Sequence, residues 1–96
     1  MSSLSTHVLD TGAGRPAQGV LVELYRGDER LAQGTTNDDG RIAKLAGELD
    51  AGTYRLVFHP PSPFFRRVEL EIAIGDGHHH VPLLVAPYAC ASYRGS

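Results

Sequence analysis

Val68-Glu-Leu-Glu-Ile-Ala-Ile74 decides the class of fold. Val68, Leu70, Ile72 and Ile74 alternate with Glu69, Glu71 and Ala73, and Arg67 precedes them in the polar phase. Successive side chains of a strand point to opposite faces, so this period of two predicts a strand with one apolar and one solvated face. Outward from it, residues 53–58 repeat the pattern with Tyr54, Leu56 and Phe58 inward. Between them, His59-Pro-Pro-Ser-Pro63 can neither continue a strand nor easily open a helix, because its prolines fix φ and remove donors. Residues 19–25, rich in β-branched and aromatic types, turn Val20, Val22 and Leu24 to the core. Residues 31–36 pair back on them as a hairpin, and Asn37-Asp-Asp-Gly40 is a strong turn. Residues 4–9 place Leu4, Thr6 and Val8 on one face and Ser5, His7 and Leu9 on the other. Residues 10–16 read as a connection, and 78–85 and 89–94 as the last two strands around a turn at Ala86-Pro-Tyr88. Residues 42–50 stay open, since Ile42, Leu45 and Leu49 have roughly helical spacing while a strand edge fits equally.

About seven or eight short strands with at most one helical turn predict an all-β sandwich with antiparallel pairing. The 96 residues suit a single domain, 1–96, whose start and finish read as those of a whole protein rather than a fragment. A chain this short buries only about 60–65% of its unfolded surface, so association would help it. A net charge of −2 gives no electrostatic reason to expect nucleic acid or an anionic membrane as partner. No run of about 18 apolar residues is present to span a membrane. The lone Cys90 excludes an intrachain disulfide and fits a reducing compartment. The N-terminus has no basic segment followed by an apolar one, so a cytoplasmic location is expected.

Four features can carry chemistry, and each alone has an ordinary structural explanation. His7 sits mid-strand, where a histidine is more often a surface or hydrogen-bonded residue than a catalyst. Arg41 follows an Asp-Gly turn, a common place for a surface arginine. His78-His79-His80 alternates faces, so His78 and His80 share one side. Two histidines at i, i+2 can ligate zinc or copper, but no cysteine pair or carboxylate in a metal-binding spacing supports such a site. The ending Tyr93-Arg94-Gly95-Ser96 follows a strand directly and can simply be an ordered terminus. Cys90 has no basic neighbour in sequence to activate it, so packing is its expected role. Gly12-Ala-Gly14 is too short for a phosphate loop, Glu69 and Glu71 suit a solvated edge, and Arg66-Arg67 is no nucleic-acid patch.

Together these features change character. Ser5-Thr-His-Val-Leu-Asp10, Thr36-Asn-Asp-Asp-Gly-Arg41, His80-Val-Pro-Leu-Leu84 and the terminal Ser-Tyr-Arg-Gly-Ser96 resemble the 5-hydroxyisourate hydrolases. These are the enzymatic branch of the transthyretin-like proteins. Gly14-Arg-Pro-Ala17, Gly19–Tyr25, Gly52–Phe58 and Phe64-Phe65 resemble the family's intervening strands, so the likeness covers nearly the whole chain in order. The terminal Tyr-Arg-Gly-Ser is specific to the enzymes and absent from the carriers. The resemblance implies a sandwich of two four-stranded sheets, assembled as a homotetramer with active sites at the dimer–dimer interface. It implies ring-opening hydrolysis of 5-hydroxyisourate, the product of urate oxidase, to 2-oxo-4-hydroxy-4-carboxy-5-ureidoimidazoline in purine breakdown. No metal or organic cofactor is implied. It assigns catalysis to His7, Arg41, His80 and Ser96, and substrate binding to Tyr93, Arg94 and Gly95.

The residue types suit that chemistry. An imidazole titrates near neutral pH and can activate water, while a guanidinium presents a charged planar fork to carbonyl oxygens. The residues leave open which histidine is the base. Three departures from the family stand out: the short bridge 59–63 where a longer segment with a short helix is usual, Arg66-Arg67 in place of a Pro-Glu pair, and the small Ala89-Cys90-Ala91. The rival readings are a non-enzymatic transthyretin-like module that binds a small ligand and an accessory domain of a larger assembly. Two titratable bases and an arginine fork favour the enzyme.

Overall fold

The strands that the alternation predicts form, and they stack as two sheets. The computed structural model describes residues 1–95. Their nine strands are β1 (Ser2–Asp10), β2 (Arg15–Pro16), β3 (Leu21–Arg26), β4 (Glu29–Thr35), β5 (Arg41–Leu49), β6 (Gly52–Phe58), β7 (Val68–Ile74), β8 (Gly77–Ala86) and β9 (Ala89–Ser92). One sheet runs β4-β3-β6-β7, antiparallel throughout. The other runs β2-β1-β8-β9, with β5 also paired to β1. The all-β sandwich expected from the sequence is therefore the fold, and no helix occurs among the described residues. Leu4, Val8, Val22, Leu24, Leu56 and Phe58 are completely buried between the sheets, on the faces the alternation assigns.

The expected connection 10–16 contains the two-residue β2, and the sheet it joins has five strands where the resemblance implied four. Three further details depart from the sequence reading, each for a physical reason. The pairing is not antiparallel throughout: β1 and β8 run parallel, in register from Ser2↔Gly77 to Asp10↔Val85. A hairpin enforces antiparallel pairing only between strands it joins, and here the whole β4-β3-β6-β7 sheet, with β2 and β5, lies in the connection between them. Residues 42–50 are strand, and their helix-like spacing comes from bulges. Along β1 the partners Ser2, Leu4 and Thr6 meet Leu49, Ala46 and Ile42, so β5 spends extra residues on each step. Glu48, with φ of 56°, marks one of these irregularities. The expected last strand, 89–94, stops at Ser92. The His80 carbonyl faces the tail, where it accepts from Gly95 N–H at 2.7 Å. Pro82, two residues on, faces the same way but has no N–H to offer, so the ladder breaks there. Ser92 Oγ donates to the Pro82 carbonyl at 2.8 Å instead.

The short 59–63 bridge closes without a helix. Ser62 Oγ accepts from the N–H groups of Phe64 and Phe65 at 3.1 and 2.9 Å and donates to the Pro87 carbonyl at 3.0 Å. His59 Nε2 reaches the buried Glu23 carboxylate on β3 at 2.6 Å, tying the bridge to the sheet. That hydrogen bond, with those from Tyr25 and Arg30, holds the Glu23 carboxyl below the usual carboxylate range. The bridge leaves Phe64 64% exposed, stacked edge-on against Phe65.

The turn before β5 is the connection that positions chemistry. Asn37 Oδ1 accepts from the N–H groups of Asp39 and Arg41 at 2.9 and 3.0 Å, and Gly40 C=O accepts from Val8 N–H at 2.7 Å. Gly40 has φ of +74°, and a Cβ there would lie 2.5 Å from the Val8 carbonyl oxygen. Gly40→Ala is expected to cost at least about 1–3 kcal/mol from strain alone. In a thermal melt that lowers Tm by about 4–8 °C per kcal/mol.

Candidate active site

Parallel register brings the candidate residues onto one face. Because Leu4, Thr6 and Val8 point into the sandwich, Ser3, Ser5 and His7 project from the outer face of the same sheet. The register Ser3↔His78, Ser5↔His80 and His7↔Pro82 puts His78 and His80 beside them, while His79 turns inward and is buried. On the opposite edge of β1, His7 pairs with Arg41 of β5. On the far edge of β8, Gly95 pairs with His80. Two rows result across the sheet: Arg41, His7, Pro82 and, next to it, Ser5, His80, Gly95. Rows on one face two residues apart along a strand lie about 7 Å from each other, the span of a small heterocycle.

Hydrogen bonds fix the imidazoles. His7 Nε2 lies 2.9 Å from the Asp39 carbonyl oxygen. A carbonyl can only accept, so Nε2 carries the proton and a neutral His7 keeps its Nδ1 lone pair free. His80 Nδ1 lies 2.7 Å from Ser5 Oγ, which leaves Nε2 as its open nitrogen. Partial burial, then the charges of Arg41, His7 and His78, hold the His80 imidazole below its ordinary value, so it is neutral at pH 7. Gly95 lies against this ring: a Cβ there would sit 2.6 Å from His80 Cδ2.

Of the predicted site residues, His7, Arg41, His80 and Gly95 thus meet on one face. Tyr93 and Arg94 line a different cleft, of about 330 Å3, with Leu70, Ile72, His79 and Val81 on the inner side of β8. Ser96 lies outside the described residues. Sequence reasoning passed over Ser3 and Ser5, which bind the histidines, while Asn37, read there as a turn former, shapes the Arg41 turn. The signal was present in the period of two that puts Ser3, Ser5 and His7 on one face, but the partner strand was not readable. His78 and His80 have nitrogens bound by serine hydroxyls, and no group of three or more His, Cys, Asp or Glu able to hold a metal gathers among the described residues. Burial pushes the Cys90 thiol up, as for a packing residue.

Residues 4–95 match the HIUase/Transthyretin family. The chain belongs to that family. Among its relatives, 5-hydroxyisourate hydrolase of Deinococcus radiodurans is 44% identical over 113 aligned positions, covering 97% of this chain and 95% of the relative. Those positions outnumber the 96 residues here, so the alignment includes residues that this family member lacks. The solved structure of Klebsiella pneumoniae 5-hydroxyisourate hydrolase superposes with a TM-score of 0.92 at 42% identity, covering 100% of both chains. Sea bream transthyretin, solved in complex with thyroxine, superposes with a TM-score of 0.84 at 25% identity over 96% of this chain and 93% of its own. Hydrolase and carrier share this sandwich, so the fold alone does not choose between them; the outer-face residues carry the argument for catalysis.

Gly95→Ala tests how closely the tail holds His80. The added methyl must displace the His80 ring, so kcat is expected to fall by about 10²-fold while the thermal melt stays near wild type. Steady-state kinetics alongside a melt would separate the two effects.

Proposed function

We propose that this member of the family hydrolyses 5-hydroxyisourate to 2-oxo-4-hydroxy-4-carboxy-5-ureidoimidazoline in urate breakdown. The observation that carries the reading is the meeting of His7, Arg41 and His80 on one sheet face, with neutral His80 turning a free Nε2 outward. Hydrolysis of a cyclic amide needs a water made nucleophilic and a carbonyl oxygen stabilised as it gains charge. In our reading His80 Nε2 takes the proton from the attacking water. Arg41 holds the carbonyl oxygen through its guanidinium fork. His7 orients water or substrate through its free Nδ1. We assign substrate contact to Gly95, which lies against His80, and a catalytic hydroxyl to Ser96; Tyr93 and Arg94, expected beside them, line the cleft on the inner side of β8 and are left out of the scheme. No metal or organic cofactor enters this scheme.

We further propose a homotetramer with sites at the dimer–dimer interface. In one chain the histidines stand on the outer surface of a sheet, which offers substrate a floor but no facing wall; a second copy would supply it. Residues 1–96 are read as one catalytic domain, placed in the cytoplasm because its lone, half-buried Cys90 suits a reducing compartment. No helix among the described residues is long and apolar enough to cross a membrane.

A coupled assay tests the reaction. Urate oxidase generates 5-hydroxyisourate, and its ultraviolet decay is followed with and without protein bearing an untagged Ser96. Wild type is expected to accelerate the decay, and His80→Ala and Arg41→Ala each to lose about 10²-fold or more. The acid limb of kcat/KM should fall below the ordinary imidazole value of about 6.5. In Arg41→Ala the residual activity should lose its acid limb at higher pH, because removing a cation makes His80 easier to protonate. A folded tetramer that leaves the decay unchanged would refute the hydrolase and leave a ligand-binding module.

A further inference from the structure

We propose that Ser5 and His78, with Ser3, form a proton relay behind His80, as positioning residues that orient its imidazole and carry its proton toward solvent. This deepens the hydrolase reading and rests on it. Four groups stand in line on the outer face. Ser3 Oγ lies 2.6 Å from His78 Nδ1, His78 Nε2 lies 2.8 Å from Ser5 Oγ, and Ser5 Oγ lies 2.7 Å from His80 Nδ1. Ser5 is the hinge of the line, only 7% exposed, while His78 at its outer end is exposed.

The donor inventory forces direction on this chain. A serine has one O–H, so Ser5 cannot donate to both rings; it donates to one and accepts from the other. When Ser5 donates to His78 Nε2, His80 must donate from Nδ1, and its Nε2 lone pair faces the substrate as a base. When Ser5 donates to His80 Nδ1, His80 carries its proton on Nε2 and faces the substrate as an acid. One concerted shift converts the first state into the second. Water gives a proton to His80 Nε2 while its oxygen forms a bond to the ring carbonyl carbon and the C=O electron pair moves onto the oxygen. The His80 Nδ1 proton passes to Ser5 Oγ, and the Ser5 proton passes to His78 Nε2, which makes His78 an imidazolium. When the intermediate collapses, the carbonyl re-forms and the ring C–N bond breaks. The leaving nitrogen takes the proton from His80 Nε2, and the line runs back, restoring neutral His78.

The electrostatics fit the arrangement. The groups facing His80 are His7 from β1, Arg41 from β5 and His78 from β8, all of which disfavour a positive charge on its ring, as does burial. A proton passed outward to His78 rests on an exposed ring farther along the face. His79, between them in sequence, faces inward and donates from Nε2 to the Gly75 carbonyl at 3.0 Å, so it takes no part.

The test compares Ser5→Ala, Ser5→Thr and His78→Ala with wild type and His80→Ala. Ser5→Ala is expected to lower kcat by roughly tenfold to hundredfold with KM little changed, and Ser5→Thr to recover most of that loss. His78→Ala is expected to lose kcat similarly and to regain part of it when free imidazole is added, a rescue that lost packing would not show. Wild-type kcat in Ser5→Ala or His78→Ala, beside an inactive His80→Ala, would overturn the relay and leave the hydrolase standing. Equal loss in Ser5→Ala and Ser5→Thr with no imidazole rescue of His78→Ala would likewise reduce these residues to packing. A readout independent of turnover is the ring 15N shift of His80, which reports where its proton sits. Ser5→Ala should move it; superimposable spectra would sink the relay, even if wild type proved inactive and the hydrolase reading fell.

Discussion

The parallel register of β1 on β8 is the constraint from which the rest of the structure follows. It places strands from opposite ends of the chain side by side for nine paired residues, and the whole β4-β3-β6-β7 sheet lies in the long excursion between them. Because the pairing is in register over its whole length, the side-chain period of two is shared by both strands. Leu4, Val8, Leu83 and Val85 go into the core together, and Ser3, Ser5, His7, His78 and His80 come out together. A slip of one residue would send every histidine of this face into the core and every core leucine out. The apolar face therefore fixes the catalytic face, and burial is what holds the polar groups in place.

That coupling explains the electrostatic character of the outer face. His7, His80 and Arg41 crowd together because β1 pairs with β5 on one side and β8 on the other. Burial comes first, and the neighbouring Arg41, His7 and His78 then add to it in disfavouring charge on His80. A neutral imidazole then has one nitrogen to spare, and the Ser5 hydroxyl takes the other. The site needs no buried carboxylate to orient its histidines; two serines and a backbone carbonyl do so, the carbonyl alone fixing a tautomer, that of His7.

Local backbone chemistry supplies the precision that strand pairing lacks. Asn37 and Gly40 wrap the turn so that Arg41 begins β5 directly opposite His7. Pro82 ends the β9 ladder, and the chain returns at Gly95, the residue type that fits against the His80 ring. On the other sheet, Ser62 serves two backbone donors with one hydroxyl, which lets a proline-rich bridge replace a longer connection. The lost length leaves Phe64 uncovered at the surface but leaves the histidine face intact.

The sequence by itself determined the class of fold, the inward faces of β3, β6 and β7, and the turn at Asn37–Gly40. Those depend on local periodicity and on the φ freedom of single residues, which any short window contains. Through its resemblance to the family it also singled out His7, Arg41 and His80. What only the tertiary structure decided was partnership. Two bulges made β5 mimic a helical spacing, because the extra residues are visible only against the even step of β1. The parallel pairing of β1 with β8 could not be read from either strand, since an isolated strand's pattern is the same whichever way its neighbour runs. Ser3 and Ser5 were unremarkable letters in a strand until that neighbour set two imidazoles beside them. A hydrogen bond across 75 residues of chain is a property of the packed sheets, and no local window holds it.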